Sequence, residues 1–352
     1  MPVQSLSENV AQNPNITWEV ANNSDIALEG TTLNGKLDFV LEAFYNKRTN
    51  ILWRPTASIP ATSIPSNQLP PVNYGKVTNK GWEFSFTYHN NIGQVRYSIG
   101  ANGGFTKNRI DQWDEAPGAP AWQKSTGHPI GAQLYYIYDG IFATQAEIDA
   151  NKVDYSGVGA SVLRPGDMRY KDIGNDKGEM IPDGKIDGND QVRNDKSTVP
   201  TFQGGLNLAV QYKNFDLTVL FQGATGAQLF FQTESGTIGN FTQYSYDHRW
   251  TVDNPSTVYP RTVDRNNQYF SGGNTYWLLN MNYVRLKNVE LGYTLPSTIG
   301  KKVGIGNLRI YANGLNLATM AKQHIYDPES TSSDGHYYPQ QRIMNLGASI
   351  KF

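Results

Sequence analysis

Apolar and polar residues alternate one by one along most of this chain. The clearest stretch is WEFSFTYH, residues 82–89, in which every second residue is aromatic. Because successive side chains of a strand point to opposite faces of the sheet, the pattern predicts strands with one apolar and one polar face. Helical periodicity is rare, and only TQAEIDANK, residues 144–152, predicts a short helix. Nine long strands are predicted, at about residues 18–30, 35–46, 79–90, 94–105, 202–212, 214–223, 278–295, 306–317 and 340–352.

The connections between these strands alternate in length. In an up-and-down arrangement, all short links fall at one end of the sheet and all long links at the other. Aromatic-rich alternating strands with this asymmetry are typical of a transmembrane β-barrel, whose strands turn their apolar faces to lipid. A soluble sandwich with two apolar faces packed together is the alternative that alternation alone leaves open. The long links cover about residues 47–78, 106–201, 224–275 and 318–339.

Composition supports a β-protein and excludes several functions. Only 17% of the residues are charged, against roughly 25% in soluble domains, while the chain contains 21 Tyr, 14 Phe and 34 Gly. A formal net charge of -1 without a long basic run gives no footprint for nucleic acid. The chain has no cysteine, which excludes disulfides and thiol chemistry, and its five histidines lack metal-ligand spacing. No apolar run approaches a transmembrane helix, and the first twenty residues lack a signal-peptide pattern.

The last eight residues, NLGASIKF, continue the alternation to the end of the chain. Asn345, Gly347, Ile350 and Phe352 occupy a pattern of polar, glycine, hydrophobic and aromatic positions. This pattern resembles the β-signal by which the barrel assembly machinery recognises outer-membrane proteins. An ordinary strand that ends in Phe is the alternative.

Longer stretches carry a more specific resemblance, in order along nearly the whole chain. They resemble the C-terminal barrel region of the SusC/RagA family of TonB-dependent outer-membrane transporters. The resemblance implies a barrel of about 22 strands with a plugged lumen, in the outer membrane of a Gram-negative bacterium. It also implies import powered through TonB, a SusD-like surface lipoprotein as a lid, and oligosaccharides or peptides as substrates. The stretches are TWEVANNSDIALEG, VPTFQGGLNLAVQYKNFDLTVLFQGATG, RWTVDNPSTVYPR, YVRLKNVELGYTLP and LRIYANGLNLAT, followed by YDPE.

The chain departs from a complete member of that family. Nine strands cannot close such a barrel, and the sequence shows neither a plug domain nor a TonB-contacting segment. We therefore expect residues 1–352 to be the C-terminal part of a transporter barrel that would not transport by itself. A secreted, calcium-dependent carbohydrate-binding β-sandwich is the alternative from another class. An enzyme is not expected, because no acid and base pair stands out.

An acidic segment, residues 165–192, lies within the long loop 106–201. Its DGKIDGND reads like the second half of an EF-hand calcium loop, although Ile181 would stand where a ligand is needed. A structural Ca²⁺ ion and a flexible, water-rich acidic loop are both left open, and neither would be catalytic. The candidate ligands are Asp183, Asp187 and Asp190, with Asp172 and Asp176 to complete the shell.

Aromatic residues of the long loops are the candidates for contact with a substrate or with the lipoprotein lid. Such rings can stack on the faces of sugars or bury themselves against a covering protein. Packing of one loop on another is the alternative for most of them. The candidates are Trp113, Trp122, Tyr136, Tyr244 and Trp250.

Overall fold

The computed structural model describes most of the chain as strands and well-defined loops. Residues described are 10–59, 62–63, 65–160, 162–231, 242–262, 273–296, 306–333, 335 and 337–351. Within these ranges no helix is long and apolar enough to cross a membrane. The predicted helix is confirmed as α1 (Gln145–Ala150), whose first turn is capped by the Thr144 side chain; a second short helix is α2 (Gln243–His248).

The strands are of two kinds. Nine long strands form one sheet: β1 (Val20–Thr32), β2 (Leu37–Trp53), β3 (Val72–Ile92), β4 (Val95–Gln112), β9 (Phe202–Tyr212), β10 (Phe215–Thr225), β13 (Tyr283–Thr294), β14 (Asn307–Ala321) and β15 (Ile343–Lys351). Six short strands pair within the loops: β5 (Leu134–Tyr136) with β8 (Gln191–Arg193), β6 (Tyr138–Ile141) with β7 (Met168–Tyr170), and β11 (Gln228–Phe230) with β12 (Leu278–Asn280).

The large sheet confirms the predicted architecture. Its strand order is β1-β2-β3-β4-β9-β10-β13-β14-β15, and every neighbouring pair is antiparallel. The chain therefore runs up and down, with short turns at one end and long loops at the other. β1 and β15 form the two edges of this wall.

Several strands extend beyond their predicted ends on the side of the long loops. β3 begins at Val72 and β4 continues to Gln112. Polar residues pair there, as in the hydrogen bond of 2.9 Å from the Thr106 hydroxyl to Asn79 Oδ1, so hydrophobic alternation no longer marks the strands. The predicted strand 278–295 is interrupted, because its first three residues pair with β11 and only β13 belongs to the sheet.

The apolar residues of neighbouring strands line up on one face of the sheet, called here the apolar face. Phe84 of β3 stands between Leu41 of β2 and Gly103 of β4. A cluster of aromatic rings lies further toward the long loops, where the Trp82 centroid is 6.1 Å from that of Phe105. A second level of rings lies near the short turns, and it includes the pairs Tyr88–Tyr97 and Phe215–Tyr293.

The terminal strand has the two faces that its alternation predicts. Leu346 is 81% exposed and lies opposite Ala312 of β14. On the other face, Asn345 donates to Asn313 Oδ1 at 2.9 Å. The Tyr311 ring lies over Gly347 on this face, where a Cβ would be only 2.5 Å from the ring. Phe352 lies outside the described residues.

The opposite face of the sheet, called here the polar face, carries a chain of charged and amide groups across four strands. Arg309 of β14 donates to Asp216 of β10 at 3.1 Å and to Glu290 of β13 at 2.7 Å. Glu290 also accepts from Asn313, which in turn accepts from Asn345 of β15. These side chains stabilise the polar face through hydrogen bonds and ion pairs with each other.

The long loops fold into a compact unit beyond the end of the sheet. We call the described parts of residues 113–201 and 226–282 the cap. Its core contains Phe142, Ile186 and Trp277, which come from three separate segments. A smaller cluster around Leu229 and Met281 joins the cap to the last loop.

Gly103 provides a test of packing on the apolar face. A Cβ on Gly103 would lie 2.9 Å from both the Phe84 and the Phe202 rings, whereas one on Gly100 of the same strand would meet nothing closer than 3.7 Å. We expect Gly103→Ala to lower the free energy of unfolding by about 1–3 kcal/mol through overpacking. Gly100→Ala should leave it unchanged or raise it by up to about 1 kcal/mol. Denaturant titration in lipid bilayers measures both, and equal effects would contradict this packing.

Candidate functional site

The acidic segment 165–192 is folded around a buried carboxylate. Asp190 has an exposed fraction of 0%. Its Oδ1 accepts from the backbone N–H groups of Ile173 and Gly174 at 2.7 and 3.1 Å, and its Oδ2 accepts from that of Asp187 at 2.8 Å. Burial raises the pKa of Asp190 above its usual value, against the lowering effect of these bonds. Asp190 therefore holds two turns of the segment together.

The other four predicted ligands also accept hydrogen bonds within the segment. Asp172 receives the backbone N–H groups of Asp183 and Gly184, at 3.1 and 2.7 Å. Among the described residues, which include this whole segment, no three His, Asp or Glu side chains converge so that they could hold a metal ion. These contacts explain the acidic composition by turn formation, and the calcium ion stays a prediction. The remaining bonds run from Lys185 N to Asp183, from Asn189 N to Asp187 and from Asn189 Nδ2 to Asp176.

Apolar residues between the carboxylates anchor the acidic segment in the core of the cap. Ile186 is completely buried, and Met168 and Tyr170 belong to the same core. The two ends of the segment are therefore held in the cap core, while residues 176–183 between them are exposed to solvent. The acidic composition concealed these few apolar anchors, because they follow no period that sequence reasoning detects.

Two of the predicted aromatic contacts pack against the acidic segment. Tyr136 is buried with its ring stacked on Tyr170, at 5.3 Å between centroids. Burial raises the pKa of Tyr136 to about 12, with a further contribution from Asp190. Trp122 donates from Nε1 to the carbonyl oxygen of Asn189 at 3.2 Å. Both side chains stabilise the cap, and Tyr136 presents little surface to a ligand.

The other three predicted aromatic contacts lie nearer the surface. Trp113 packs on Trp53, with 4.3 Å between ring centroids, and Trp53 is 39% exposed. The Tyr244 hydroxyl lies 2.8 Å from that of Tyr259. Trp250 lies over Gly166, where a Cβ would come within 2.7 Å of its ring. The structure thus distributes the five predicted residues over several places and does not bring them together in one site.

An ion pair that the sequence did not suggest joins residues 242–262 to the acidic segment. Arg261 Nε lies 2.5 Å from Asp167 Oδ1, and the Asp167 side chain is 1% exposed. Arg261 also donates its backbone N–H to the carbonyl of Gly166. The two partners are 94 residues apart, so no local pattern could have indicated the pair. Together with Trp250, it explains the placement of the stretch RWTVDNPSTVYPR.

The polar face forms a broad concavity near the middle of the wall. Its volume is about 770 Å³. Gly104 and Gly205 lie on its floor, among side chains that carry hydroxyl, amide or carboxylate groups. The polar side chains around it are Glu42, Glu83, Ser85, Asn102, Gln203 and Gln222.

The chain has clear relatives among proteins of known class, although no protein-family model matches it. It is 28% and 26% identical to TonB-dependent receptors P26 and P3 of Formosa agariphila, over 97% of its own length. It covers 35% of each of these receptors, so it spans about a third of their length.

Solved structures show the same fold. The structure of the RagAB peptide transporter matches this chain with a TM-score of 0.71 at 20% sequence identity. The match covers 97% of this chain and 36% of the transporter chain. The RagAB peptide importer in its closed-closed state has a TM-score of 0.70 at 21% identity. With nine antiparallel strands in one wall, these relationships confirm the resemblance found in the sequence: the chain is similar to TonB-dependent receptors over nearly its whole length, and its sheet has the fold of part of the RagAB transporter structure.

Proposed function

We propose that this chain forms part of the wall and outer loops of an outer-membrane transporter that imports nutrients with energy from TonB. The apolar face of the sheet is the observation that carries this proposal. Large side chains of interior strands such as Trp82 and Leu291 are 46% and 51% exposed there, and an exposed apolar face that extends over nine strands needs an apolar solvent or partner. Lipid on this side and water on the polar side match the two faces. The relatives are receptors, which agrees with a protein without enzymatic activity.

The proposed substrate class is oligosaccharides. The concavity of the polar face supports it, because Asn102, Gln203 and Gln222 offer both donors and acceptors to sugar hydroxyl groups. Peptides are the second candidate, because the RagAB structures that share this fold are described as a peptide transporter.

The proposed partners follow the family. They are a SusD-like surface lipoprotein over the cap, the TonB complex on the opposite side, the barrel assembly machinery and the lipid of the outer membrane. Among the predicted aromatic positions, Tyr244 is 38% exposed on the loop side. Trp53, which packs on the predicted Trp113, is 39% exposed, so both places are open to a lipoprotein or a sugar.

Neighbouring residues on β9 test the orientation toward lipid. Leu206 lies on the apolar face and Asn207 on the polar face, paired with Phe221 and Leu220 of β10 respectively. If the apolar face meets lipid, Leu206→Arg should lower the free energy of unfolding in bilayers by about 2–4 kcal/mol. Asn207→Arg places the same charge toward water and should have a much smaller effect. Equal losses would argue against lipid on one side only.

Transport is tested in cells that express the intact protein. We expect uptake of oligosaccharides above the size that passes freely through porins, and loss of this uptake when TonB is removed. Uptake of peptides with the same TonB dependence would favour the second candidate. If neither class is taken up by a protein that is correctly assembled in the outer membrane, the proposal of nutrient import is wrong.

Calcium at the acidic segment is proposed as a structural ion held by Asp183 and Asp187, with Asp172, Asp176 and Asp190 as the further predicted ligands. Titration calorimetry of the intact protein should show heat on addition of Ca²⁺, and EDTA should lower the thermal midpoint. Asp183→Asn with Asp187→Asn should remove both effects, whereas Asp25→Asn on β1 should not. An intact protein that gives neither heat nor a shift with EDTA has no such ion.

A further inference from the structure

A buried cluster of four charged residues connects the wall to the last long loop, residues 322–342. We call Arg285, Lys287, Asp327 and Glu329 the Arg285 cluster. Arg285 lies on β13 with a side chain that is 3% exposed, and it donates from Nη2 to Asp327 Oδ1 at 2.8 Å. Glu329 lies 3.4 Å from both Arg285 Nη1 and Lys287 Nζ. The two carboxylates belong to the stretch YDPE, which neither the fold nor transport explains.

Asp327 joins three parts of the chain. Besides Arg285, its Oδ1 accepts from the backbone N–H of Glu329 at 2.9 Å, and its Oδ2 accepts from that of Gln340 at 2.7 Å. Gln340 stands just before β15, which begins at Ile343. Burial alone would raise the pKa of Asp327, but these N–H groups and the guanidinium lower it below the usual value. The carboxylate is therefore ionised and ties the end of the loop to β13.

Tyr326, the residue before Asp327, anchors the same loop from its other side. Its hydroxyl lies 2.5 Å from the carbonyl oxygens of both Gly335 and Tyr337 and accepts from the Tyr337 N–H at 3.1 Å. Its ring stacks on Phe231 of the cap at 4.9 Å. The loop is thus held at two adjacent points, by Tyr326 through Tyr337 and by Asp327 through Gln340.

The register of β15 needs such an anchor. Where two strands are joined by a tight turn, the turn sets their register, but β14 and β15 are joined by the long loop 322–342. Alternation forbids a slip of one residue, because every side chain would change face. A slip of two residues leaves every side chain of β15 on its original face, so alternation does not oppose it. Within the strand pair, Tyr311 over Gly347 and the bond of Asn345 to Asn313 oppose such a slip. At the loop end, Asn316 of β14 donates from Nδ2 to the carbonyl oxygen of Gln341 at 2.9 Å, next to the bond that Asp327 accepts from Gln340.

We propose that Asp327 is the positioning residue that sets the register of β15, by holding Gln340 at a fixed point relative to β13. The Arg285 side chain supplies the fixed partner, since it is buried in the wall and directed by Asp327 and Glu329. This role is independent of the substrate, and its failure would leave the proposal of transport untouched.

Disulfide cross-linking in the intact protein in outer membranes tests the register directly. Residues 1–352 contain no cysteine, so the introduced pairs are the only thiols in this part of the intact protein. Ala312→Cys with Leu346→Cys reports the observed register, because these residues are partners on the apolar face. Ala312→Cys with Met344→Cys or with Ala348→Cys reports a slip of two residues in either direction.

Gln340 offers a matched pair of variants. Gln340→Pro removes the backbone N–H that Asp327 accepts and leaves all four charges in place. It should raise the cross-link of a slipped pair at least tenfold over the parent protein. Gln340→Ala keeps the N–H and should cross-link as the parent does. Asp327→Asn should resemble Gln340→Pro, whereas Glu329→Gln should keep the observed register.

The outcome that overturns the proposal is the same in every arm. If Gln340→Pro and Asp327→Asn are assembled and cross-link only between positions 312 and 346, Asp327 does not set the register. Asp327→Asn leaves Arg285 without its closest carboxylate and can fail to assemble for that reason.

The double variant Arg285→Met with Asp327→Leu avoids this problem, because it removes both buried charges together with the acceptor for the Gln340 N–H. A cross-link only between positions 312 and 346 in this variant also refutes the proposal. A cross-link of a slipped pair supports it.

Discussion

A wall between lipid and water can leave no backbone N–H or C=O group without a partner on its lipid side, and strand-to-strand hydrogen bonding meets this requirement. The nine antiparallel strands are a direct consequence, since each interior strand is bonded on both sides. Their side chains then divide between the two faces of the sheet. Aromatic and aliphatic residues occupy one face, while the chain of groups from Asp216 to Asn345 crosses the other.

The cap depends on a different balance of interactions. Its loops have few strand partners, so their backbone groups are satisfied by side chains, as when Asp190 accepts three backbone N–H groups. Each such carboxylate needs a fixed surrounding, which the core around Phe142 and Ile186 supplies. Acidic residues in this region therefore act through hydrogen bonding to the backbone as much as through charge.

Long loops also create a problem that tight turns do not have. A two-residue turn such as Lys213–Asn214 aligns its strands by geometry, with Lys213 in the left-handed region at φ 51°. A long loop leaves alignment to specific contacts. Asp114, which accepts from the backbone of Ala57 and Ser58, and Asp327 both bind a long loop near the end of a strand. At these two places, a buried carboxylate ties a long loop down next to a strand end.

The sequence by itself determined the number of long strands, their up-and-down order, the side of the long loops and the face of each residue in strands such as β15. Period-two alternation is a local signal, because successive side chains of a strand point to opposite faces of the sheet. Only the tertiary structure decided where strands end, why residues 278–280 leave the sheet, and that the acidic segment is folded. It also decided pairs such as Asp167–Arg261 and Arg285–Asp327, whose partners lie 94 and 42 residues apart. The reason is physical: beyond the apolar band both faces meet water, so alternation ends, and burial there depends on contacts between distant segments.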